Sequence, residues 1–318
     1  MSVIALDMMG GDFAPEQAVK GVAAYFNEYK NDVHLVLIGN KELLEPLLTL
    51  EQISTRNYTV LHSTQVIEMH EHPTKALKEK PDSSIALGFQ SLLTGEADAF
   101  ISAGNTGAMM VGALFSIKTI PGVIRPTIGA YLPKESGKNG LLIDVGLNAD
   151  SKPENLNQFA TLGSLFAEHI LQIKNPSIGL LNIGEEEGKG NLLAQATYPL
   201  LKENKHINFI GNIEGRDIVT EKADVMVCDG FTGNVVLKMA ESIYDIAKKR
   251  NIEDEYLHRF NFDLYGGVPI LGVAKPVVIG HGISGSKAFM NMIVTAQKML
   301  ETNLCDVIAK VFEDAGEV

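Results

Sequence analysis

Short apolar runs alternate with segments of helical period along almost the whole chain. The runs stay apolar over several consecutive residues, as strands do when both faces of a sheet are covered. They predict strands at 2–6, 33–39, 57–62, 97–103, 125–131, 140–145, 177–183, 207–210, 223–228 and 276–280. Between them, segments such as 154–171 place apolar residues at helical spacing. Strands linked by helices indicate an α/β fold with a mostly parallel sheet.

Composition and charge narrow the class of protein. A chain of 318 residues with 45% hydrophobic residues is long enough for one large or two medium domains. Its formal net charge of −12 argues against a nucleic-acid binder, which needs a basic surface. Cys228 and Cys305 show no metal-binding spacing and fit a reducing compartment, so we expect a cytoplasmic protein. We expect neither a signal peptide nor a membrane span.

Glycine-rich polar segments follow the predicted strands. In chain order they are MMGGD, GNTGA, VGLNAD, IGEEEGKGN, CDGFTGN and GHGISGS. Ligands of open α/β sheets bind beyond the carboxyl ends of the strands, and glycine lets backbone N–H groups approach an anion closely. One such segment is usually only a turn, but the repetition of the pattern indicates a polar or phosphorylated ligand.

Two of these segments resemble nucleotide-binding motifs. GHGISG at 280–285 has the spacing of a dinucleotide site, but no second strand follows it, so a glycine-rich turn is the simpler interpretation. GEEEGKG at 184–190 lacks one residue and the final Ser/Thr of a P-loop, and its glutamates would repel nucleotide phosphates. Lys189 is a candidate for binding a smaller anion, and a solvated surface lysine is the alternative.

Other polar side chains are candidates for chemistry or for structure. Four of them stand at predicted strand-to-helix turns, where helix capping is the alternative role: Asn105, Thr106, Thr232 and Asn234. Cys228 is a candidate nucleophile, but no histidine lies near it in the sequence, which favours a buried structural cysteine. His281 stands between two glycines, and a structural histidine is the alternative to a site residue.

The order of the motifs resembles that of one family. The segments are DMMGGDFAPE, VIEMHEHPTKALKEKPDSS, SAGNTGAMM, LLIDVGLNAD, LLNIGEEEGKGN, FIGNIEGRD, ADVMVCDGFTGNVVLK and YGGVPILGVAKPVVIGHG. Over nearly the whole chain they resemble the bacterial acyl-carrier-protein:phosphate acyltransferases of phospholipid synthesis (the PlsX family). A fainter similarity to phosphate acetyltransferase lies in ADAFISAGNTGAMMVGALFSIKTIPGV and LGVAKPVV.

The resemblance implies a fold and a domain division. The fold is a two-domain α/β/α architecture with a mostly parallel sheet, like that of isopropylmalate dehydrogenase and phosphate acetyltransferase. Chains of this fold leave the first sheet and return to it. The expected first domain is therefore 1–122 plus 268–318, and the second is 123–267, with helices that form a dimer.

The resemblance also implies a reaction. Inorganic phosphate attacks the thioester of a long-chain acyl carrier protein and gives acyl phosphate, an early step of membrane phospholipid synthesis. Because the second ionisation of phosphate lies near neutral pH, the nucleophile needs orientation and oxyanion stabilisation more than a base. No metal and no cofactor are expected. The implied partners are the carrier protein, phosphate, a second copy of the chain, and a membrane glycerol-3-phosphate acyltransferase that uses the product.

The resemblance assigns roles to particular residues. The expected catalytic residues are Lys189, Asn234, His281 and Asn105. The expected substrate-binding residues are Asp7, Gly10, Gly11, Asp12, Thr106, Asn148, Gly190, Asp229, Thr232 and Gly233. Because carboxylates repel phosphate, Asp7 and Asp12 are expected to orient the first loop and to cap its helix. The basic run Lys248, Lys249 and Arg250 is expected to dock the acidic carrier protein, and stabilisation of a helix C-terminus is its alternative role.

One segment departs from the family pattern. Between VVLKMAES and FNFDLYGG the family carries a long amphipathic helical stretch, which is shortened here to IYDIAKKRNIEDEYLHRF. The shortening leaves peripheral membrane association open, whereas dimerisation through neighbouring helices is still expected. Three alternative functions remain: a phosphate acetyltransferase that uses acyl-CoA, a metal- and nicotinamide-dependent hydroxyacid dehydrogenase of the same fold, and a lipid- or carrier-protein-binding module without activity.

Overall fold

The computed structural model describes residues 1–29 and 33–316. The chain forms two compact units: unit 1 is Met1–Thr119 with Asp263–Cys305, and unit 2 is Ile120–Phe262 with the residues from Asp306 onward. The sequence-based division placed the breaks at 122 and 267 and assigned the C-terminal residues to the first domain. That last assignment is wrong, because Phe312 is buried against the backbone of Gly122 in unit 2.

The helices and strands follow the predicted alternation. The strands are β1 (Ser2–Asp7), β2 (Val33–Gly39), β3 (Tyr58–His62), β4 (Ala99–Ser102), β5 (Thr127–Pro133), β6 (Asn139–Ile143), β7 (Ser177–Asn182), β8 (Asn208–Glu214), β9 (Val225–Val227), β10 (Val268–Leu271) and β11 (Val277–Ile279). The α-helices are α1 (Glu16–Glu28), α2 (Lys41–Leu50), α3 (Pro73–Glu79), α4 (Ser84–Thr94), α5 (Thr106–Gly112), α6 (Pro153–His169), α7 (Leu192–Glu203), α8 (Gly230–Lys249), α9 (Glu255–His258), α10 (Ser286–Glu301) and α11 (Leu304–Gly316). Every predicted strand is present, and β10 is the strand that the sequence analysis missed.

Unit 1 is built on a sheet with the strand order β3-β2-β1-β4-β11-β10. Its neighbouring strands are parallel except β10, which runs antiparallel to β11. Consecutive residues of β1 and β4 are buried, so both faces of these strands are covered. The parallel arrangement brings the loops that follow β1, β4 and β11 to one edge of the sheet.

Unit 2 repeats this plan with the order β5-β6-β9-β7-β8. The strands β6, β9, β7 and β8 are parallel, and β5 forms an antiparallel hairpin with β6. The predicted helix at 154–171 is α6, and its apolar stripe, which includes Phe159, Leu162 and Phe166, is buried. The mostly parallel α/β fold is therefore confirmed. In the part of the chain that the structure describes, no helix combines the length and apolar composition needed to cross a membrane.

A buried ion pair joins β5 to the start of β9 in unit 2. Lys134 is completely buried, and its ammonium lies 3.0 Å from the carboxylate of Asp224. The same carboxylate accepts hydrogen bonds from the backbone N–H and the hydroxyl of Ser177, at 2.9 and 2.8 Å. Burial acts against the charged form, but the bonds from Ser177 and Lys134 outweigh it and hold the pKa of the Asp224 carboxyl below its usual value.

Asp224→Asn should destabilise the protein by about 3 kcal/mol at pH 7, because it leaves the Lys134 ammonium buried without a counter-charge. A lowered folded-state pKa adds stability above the unfolded pKa of about 3.9, and that stability is lost as the pH falls through the folded value. The difference between variant and wild type should therefore shrink below about pH 4. Urea unfolding at several pH values measures it. Glu45→Gln, in the exposed pair with Lys41, is the control and should change stability by less than about 1 kcal/mol.

Candidate active site

The loop after β1 is folded by a buried carboxylate. Asp7 is fully buried, and its Oδ1 accepts hydrogen bonds from the backbone N–H groups of Met9 and Gly10, at 2.9 and 3.0 Å. Its Oδ2 accepts a bond of 2.7 Å from the hydroxyl of Ser102 at the end of β4. Burial raises the pKa of the Asp7 carboxyl, and these hydrogen bonds partly oppose the rise. Asp7 therefore shapes the loop from below, which is the orienting role expected of it.

The glycines of this loop are explained by neighbouring backbone. A Cβ at Gly10 would lie 2.6 Å from the backbone nitrogen of Gly104, in the loop after β4. Gly11 has a φ of +102°, and a Cβ there would lie 3.1 Å from the carbonyl oxygen of Gly282, in the loop after β11. Side chains are excluded because three loops of unit 1 pack against one another.

Asp12 and His281 are exposed side chains on this edge. The backbone N–H of Asp12 donates to the carbonyl of Gly282 at 2.7 Å, which ties the loop after β1 to the loop after β11. The expected capping role of Asp12 is wrong, because α1 begins after Pro15 and no side chain caps it. The carbonyl of His281 accepts a 2.9 Å bond from the N–H of Ser284, which closes the GHGISG turn.

Asn105 is buried, and its side chain is fully engaged. Its Oδ1 caps α5 by accepting a 2.9 Å bond from the N–H of Ala108. Its Nδ2 donates to the carbonyls of Glu68, Met69 and Glu71, at 2.9, 3.3 and 3.1 Å. The amide therefore fixes the segment before α3 and has no donor left for a ligand. Thr106, the first residue of α5, is half-buried beside it.

Unit 2 contains a second buried aspartate that the sequence analysis missed. Asp144 follows β6 and accepts bonds from the backbone N–H groups of Gly146, Leu147 and Asn148, at 3.0, 3.0 and 2.8 Å. The side-chain amide of Asn148 adds a 2.6 Å bond to this carboxylate and donates to the carbonyl of Pro126. Burial raises the pKa of the Asp144 carboxyl against these bonds. Asn148 is thus buried scaffold, and the signal for Asp144 was an aspartate directly after an apolar strand, as in LDMMGG.

The loop after β9 leads directly into α8. The carboxylate of Asp229 caps this helix by accepting from the backbone N–H of Thr232 at 2.9 Å and from its hydroxyl at 2.8 Å. Gly233 sits in the first turn, where a Cβ would overlap the carbonyl oxygen of Asp144. Gly233 is therefore required by packing. Asp229 and Thr232 form the cap of α8, and this cap positions Asn234 near the start of the helix.

The side chain of Asn234, the residue after Gly233, is exposed. Its Nδ2 donates to the carbonyl of Val145 at 3.1 Å and lies 3.0 Å from where a Cβ of Gly146 would be. Among residues 1–29 and 33–316, the second N–H of this amide has no acceptor and its oxygen caps no helix. Of the two asparagines expected to be catalytic, Asn234 keeps a donor that no described residue occupies, whereas both donors of Asn105 are used.

The GEEEGKGN loop, which follows β7 in unit 2, carries an exposed cation. Lys189 is exposed and forms no ion pair with any residue in 1–29 or 33–316. Its carbonyl accepts a 3.1 Å bond from the amide of Asn182, and a Cβ at Gly190, whose φ is +95°, would overlap the oxygen of that amide. Glu185 and Glu187 pair with lysines. These ion pairs reduce the repulsion of an anion that the sequence analysis expected from the glutamates of this loop.

Glu185 of this loop, Glu214 at the end of β8 and Asp217 just after it have oxygens within 4.8 Å of one another. The ammonium of Lys222 lies 2.5 Å from Glu185 and 2.8 Å from Asp217, and Arg216 pairs with Glu214. The negative charges of the group are therefore largely balanced by cations of the same unit.

Cys228 lies under the same loops. It is buried, and its sulfur is 3.6 Å from the carbonyl oxygen of Asp144. Burial, together with the charges of Asp229 and Asp144, raises the pKa of the thiol well above its usual value. A thiolate nucleophile is disfavoured here, in agreement with the structural interpretation.

The basic run lies at the other end of α8. Lys248, Lys249 and Arg250 are exposed, about 22 Å along the helix from Asn234 at 1.5 Å per residue. Lys248 shares a cavity of about 560 Å³ with the acidic side chains of residues 253–255. Arg259, also basic, donates to the carbonyls of Lys134 and Lys138 and holds the β5–β6 hairpin.

The comparison with solved structures defines the class of fold. A phosphotransacetylase from Streptococcus pyogenes superposes with a TM-score of 0.65 at 18% identity and covers 94% of both chains. The expected phosphate-acetyltransferase-like architecture is thereby confirmed.

Sequence comparison then gives the family. The model of the family described as "Fatty acid synthesis protein" matches residues 2–307, and the chain belongs to that family. It is 42% identical to the phosphate acyltransferase of Halothermothrix orenii, over 99% of each chain. It is 44% identical to the phosphate acyltransferase of Aquifex aeolicus, over 94% of each chain. The family expected from the motifs is confirmed.

Two glycine substitutions test which glycines serve packing. Gly233→Ala should lower stability by about 3 kcal/mol or more through overpacking, although alanine is the better helix former by about 1 kcal/mol. Gly188→Ala is the matched control, because a Cβ at Gly188 meets nothing within 4 Å. Its melting temperature should equal that of the wild type. A Gly233→Ala protein as stable as the wild type would contradict the packing role.

Proposed function

We propose that the protein transfers a long-chain acyl group from acyl carrier protein to inorganic phosphate. The observation that carries the proposal is the arrangement of unit 2. Loops after the adjacent parallel strands β7 and β9 present Lys189, whose ammonium pairs with no carboxylate of the described residues, and Asn234, which keeps an amide donor. Family membership and the phosphate acyltransferases among the relatives support it. An anion and a polarised carbonyl are the two partners that such groups bind best.

The proposed chemistry is a direct displacement. A phosphate oxygen forms a bond to the thioester carbon, the carbon–sulfur bond breaks, and the carrier thiolate leaves and takes a proton from water. Lys189 neutralises the charge of phosphate as it approaches. The Asn234 amide donates to the oxygen on which negative charge develops. No covalent enzyme intermediate is needed, which agrees with the buried, protonated thiol of Cys228.

The candidate residues of unit 1 have different roles in this proposal. Asn105 positions the loop after β4 through its three carbonyl contacts instead of touching the thioester. His281 keeps the catalytic role that the resemblance implies, and its exposure in the GHGISG turn supports contact with substrate. The other residues expected to bind substrate shape the loops that would hold the substrate; Gly11 and Thr106 are two of them.

Carrier-protein docking and location are also proposals. Lys248, Lys249 and Arg250 stay the predicted docking run because they are exposed, although nearby acidic residues weaken their field. The protein acts in the cytoplasm, where acyl carrier protein supplies the donor. Its acyl phosphate product is an activated anhydride, which a membrane glycerol-3-phosphate acyltransferase would consume.

The central test is release of carrier thiol from a palmitoyl carrier protein with and without phosphate. We expect release only with phosphate, and Lys189→Met should lower kcat/KM by about 10²- to 10³-fold, because one charge-stabilising group is lost. Lys205→Met, which removes another exposed lysine of unit 2, should have little effect. Cys228→Ala should keep most of the activity.

Three outcomes would overturn the proposal. Equal thiol release without phosphate would make the protein a thioesterase. Preference for acetyl-CoA over the carrier protein would make it a phosphate acetyltransferase. An acyl group trapped on Cys228, found by mass spectrometry during turnover, would replace direct displacement with covalent catalysis.

The apolar side of α8 supports a homodimer. Four large apolar side chains of this helix are more than half exposed: Phe231, Val235, Met239 and Ile246. Their spacing places them along the solvent side of the helix, where a contiguous apolar stripe marks an interaction surface. A second copy of the chain is the occupant that we propose, because the family resemblance assigns dimerisation to these helices.

Met239→Glu should convert a dimer to a monomer, because it places a charge in the middle of the stripe. Sedimentation equilibrium measures the mass. Asp245→Asn, on the same helix but outside the stripe, should leave the mass unchanged. A wild-type protein that sediments as a monomer at all concentrations would contradict the dimer.

A further inference from the structure

A cavity of about 260 Å³ lies in unit 2 between the carboxyl ends of β7 and β9 and the helices α6, α7 and α8. Its apolar lining includes Leu156, Leu180, Leu181, Leu193 and Ala194. The volume is that of about nine water molecules at roughly 30 Å³ each. Leu156 and Leu180 are almost completely buried, so the inner end is a leucine-lined pocket.

Most polar groups in the lining already have partners within the protein, and Asn191 uses its side-chain oxygen to cap α7 at 2.8 Å from the N–H of Ala194. The amide of Asn182 donates to the carbonyl of Lys189 and accepts from the N–H of Ile183, at 3.1 and 2.8 Å. Both carboxylate oxygens of Asp229 accept hydrogen bonds from Thr232. A polar ligand would therefore find few open partners here. An apolar chain would instead replace water against the leucines, which is favourable in proportion to the area covered.

The mouth of the cavity adjoins the proposed phosphate-binding loop. Gly190 lines the cavity and is the neighbour of Lys189 in the chain. Ile183, also part of the lining, is 81% exposed, and Leu192 at the start of α7 is 86% exposed. Large apolar side chains left in water beside an apolar cavity indicate a ligand with an apolar part.

We propose that this cavity binds the carbonyl-proximal methylenes of the fatty acyl chain. The inference rests on the proposed function and adds the site that determines how activity depends on the length of the acyl chain. With the first carbons held against Leu180 and Leu193, the thioester carbonyl lies at the mouth, near Lys189. The cavity is too small for a whole long chain, so the remaining methylenes pass out between Ile183 and Leu192.

The size of the cavity predicts how activity depends on chain length. Each buried methylene contributes about 0.8 kcal/mol, which is about fourfold in kcat/KM. The value should rise from acetyl through butyryl and hexanoyl donors and then level off once the cavity is full. Acyl pantetheines are suitable donors, because they have no carrier protein and so separate the cavity from the docking surface.

Two variants of α7 move this dependence in opposite directions. Ala194→Leu fills the cavity and should lower kcat/KM for octanoyl and dodecanoyl pantetheine at least tenfold, while leaving the acetyl donor within twofold. Leu193→Ala enlarges the cavity and should move the plateau to longer chains. Ala196→Leu is the matched control, since the same substitution falls on the exposed side of the same helix.

A binding measurement tests the cavity apart from turnover. The chain contains no tryptophan, so Ile183→Trp places a single indole at the mouth. Its emission should shift to the blue with dodecanoyl pantetheine and not with acetyl pantetheine, and Ala194→Leu in the same background should abolish the shift.

The outcomes separate the inference from the proposed function. If all donors lose activity equally in Ala194→Leu, the cavity holds the pantetheine arm and the inference is wrong. An unchanged chain-length profile in both α7 variants would also overturn it. If no donor supports phosphate-dependent thiol release but the indole still responds to dodecanoyl pantetheine alone, the proposed function fails and the apolar site stands.

Discussion

Both units depend on a buried aspartate at the end of a parallel strand. Asp7 after β1 and Asp144 after β6 are fully buried, and each carboxylate accepts backbone N–H groups of the loop that follows it. An isolated carboxylate in such a place would be strongly destabilising, so the turn that supplies the donors and the burial of the charge require each other. This coupling bends the chain back over the sheet edge, where the candidate ligand-binding groups stand.

Close packing of backbone at these loops explains two of the glycines. Gly10 and Gly233 lie where backbone from a neighbouring segment leaves no room for a Cβ. These two glycines are therefore needed for packing within the protein and are not evidence for a ligand. Gly188 is different, because nothing within 4 Å requires it. Repeated glycines at strand ends therefore predict a ligand-binding edge, but only glycines without a packing reason are evidence for a ligand.

The sequence predicted the strand series and the fold class because strands covered on both faces leave a continuous apolar run. It missed β10, which is only VPIL, and it misplaced α11, because an amphipathic helix does not specify the core that its apolar face covers. It also could not separate Asn105 from Asn234. Both follow strands and precede helices. Only tertiary contacts show that the Asn105 amide donates to carbonyls of a distant segment, whereas the Asn234 amide donates, among the described residues, to the carbonyl of Val145 alone.

Three groups with shifted pKa values belong to the buried part of the structure and not to its exposed candidate site residues. Within the described part of the chain, the carboxyls of Asp7 and Asp144 and the thiol of Cys228 have raised pKa values, and all three are buried under the loops. Perturbed groups often mark catalytic acids and bases, but the two carboxylates are fully buried and occupied by hydrogen bonds from their own loops, and burial keeps the thiol protonated. A displacement by phosphate requires no tuned base, since the nucleophile ionises near neutral pH by itself. The shifted groups therefore belong to the scaffold, and the exposed groups on its edge are the ones suited to meet the reactants.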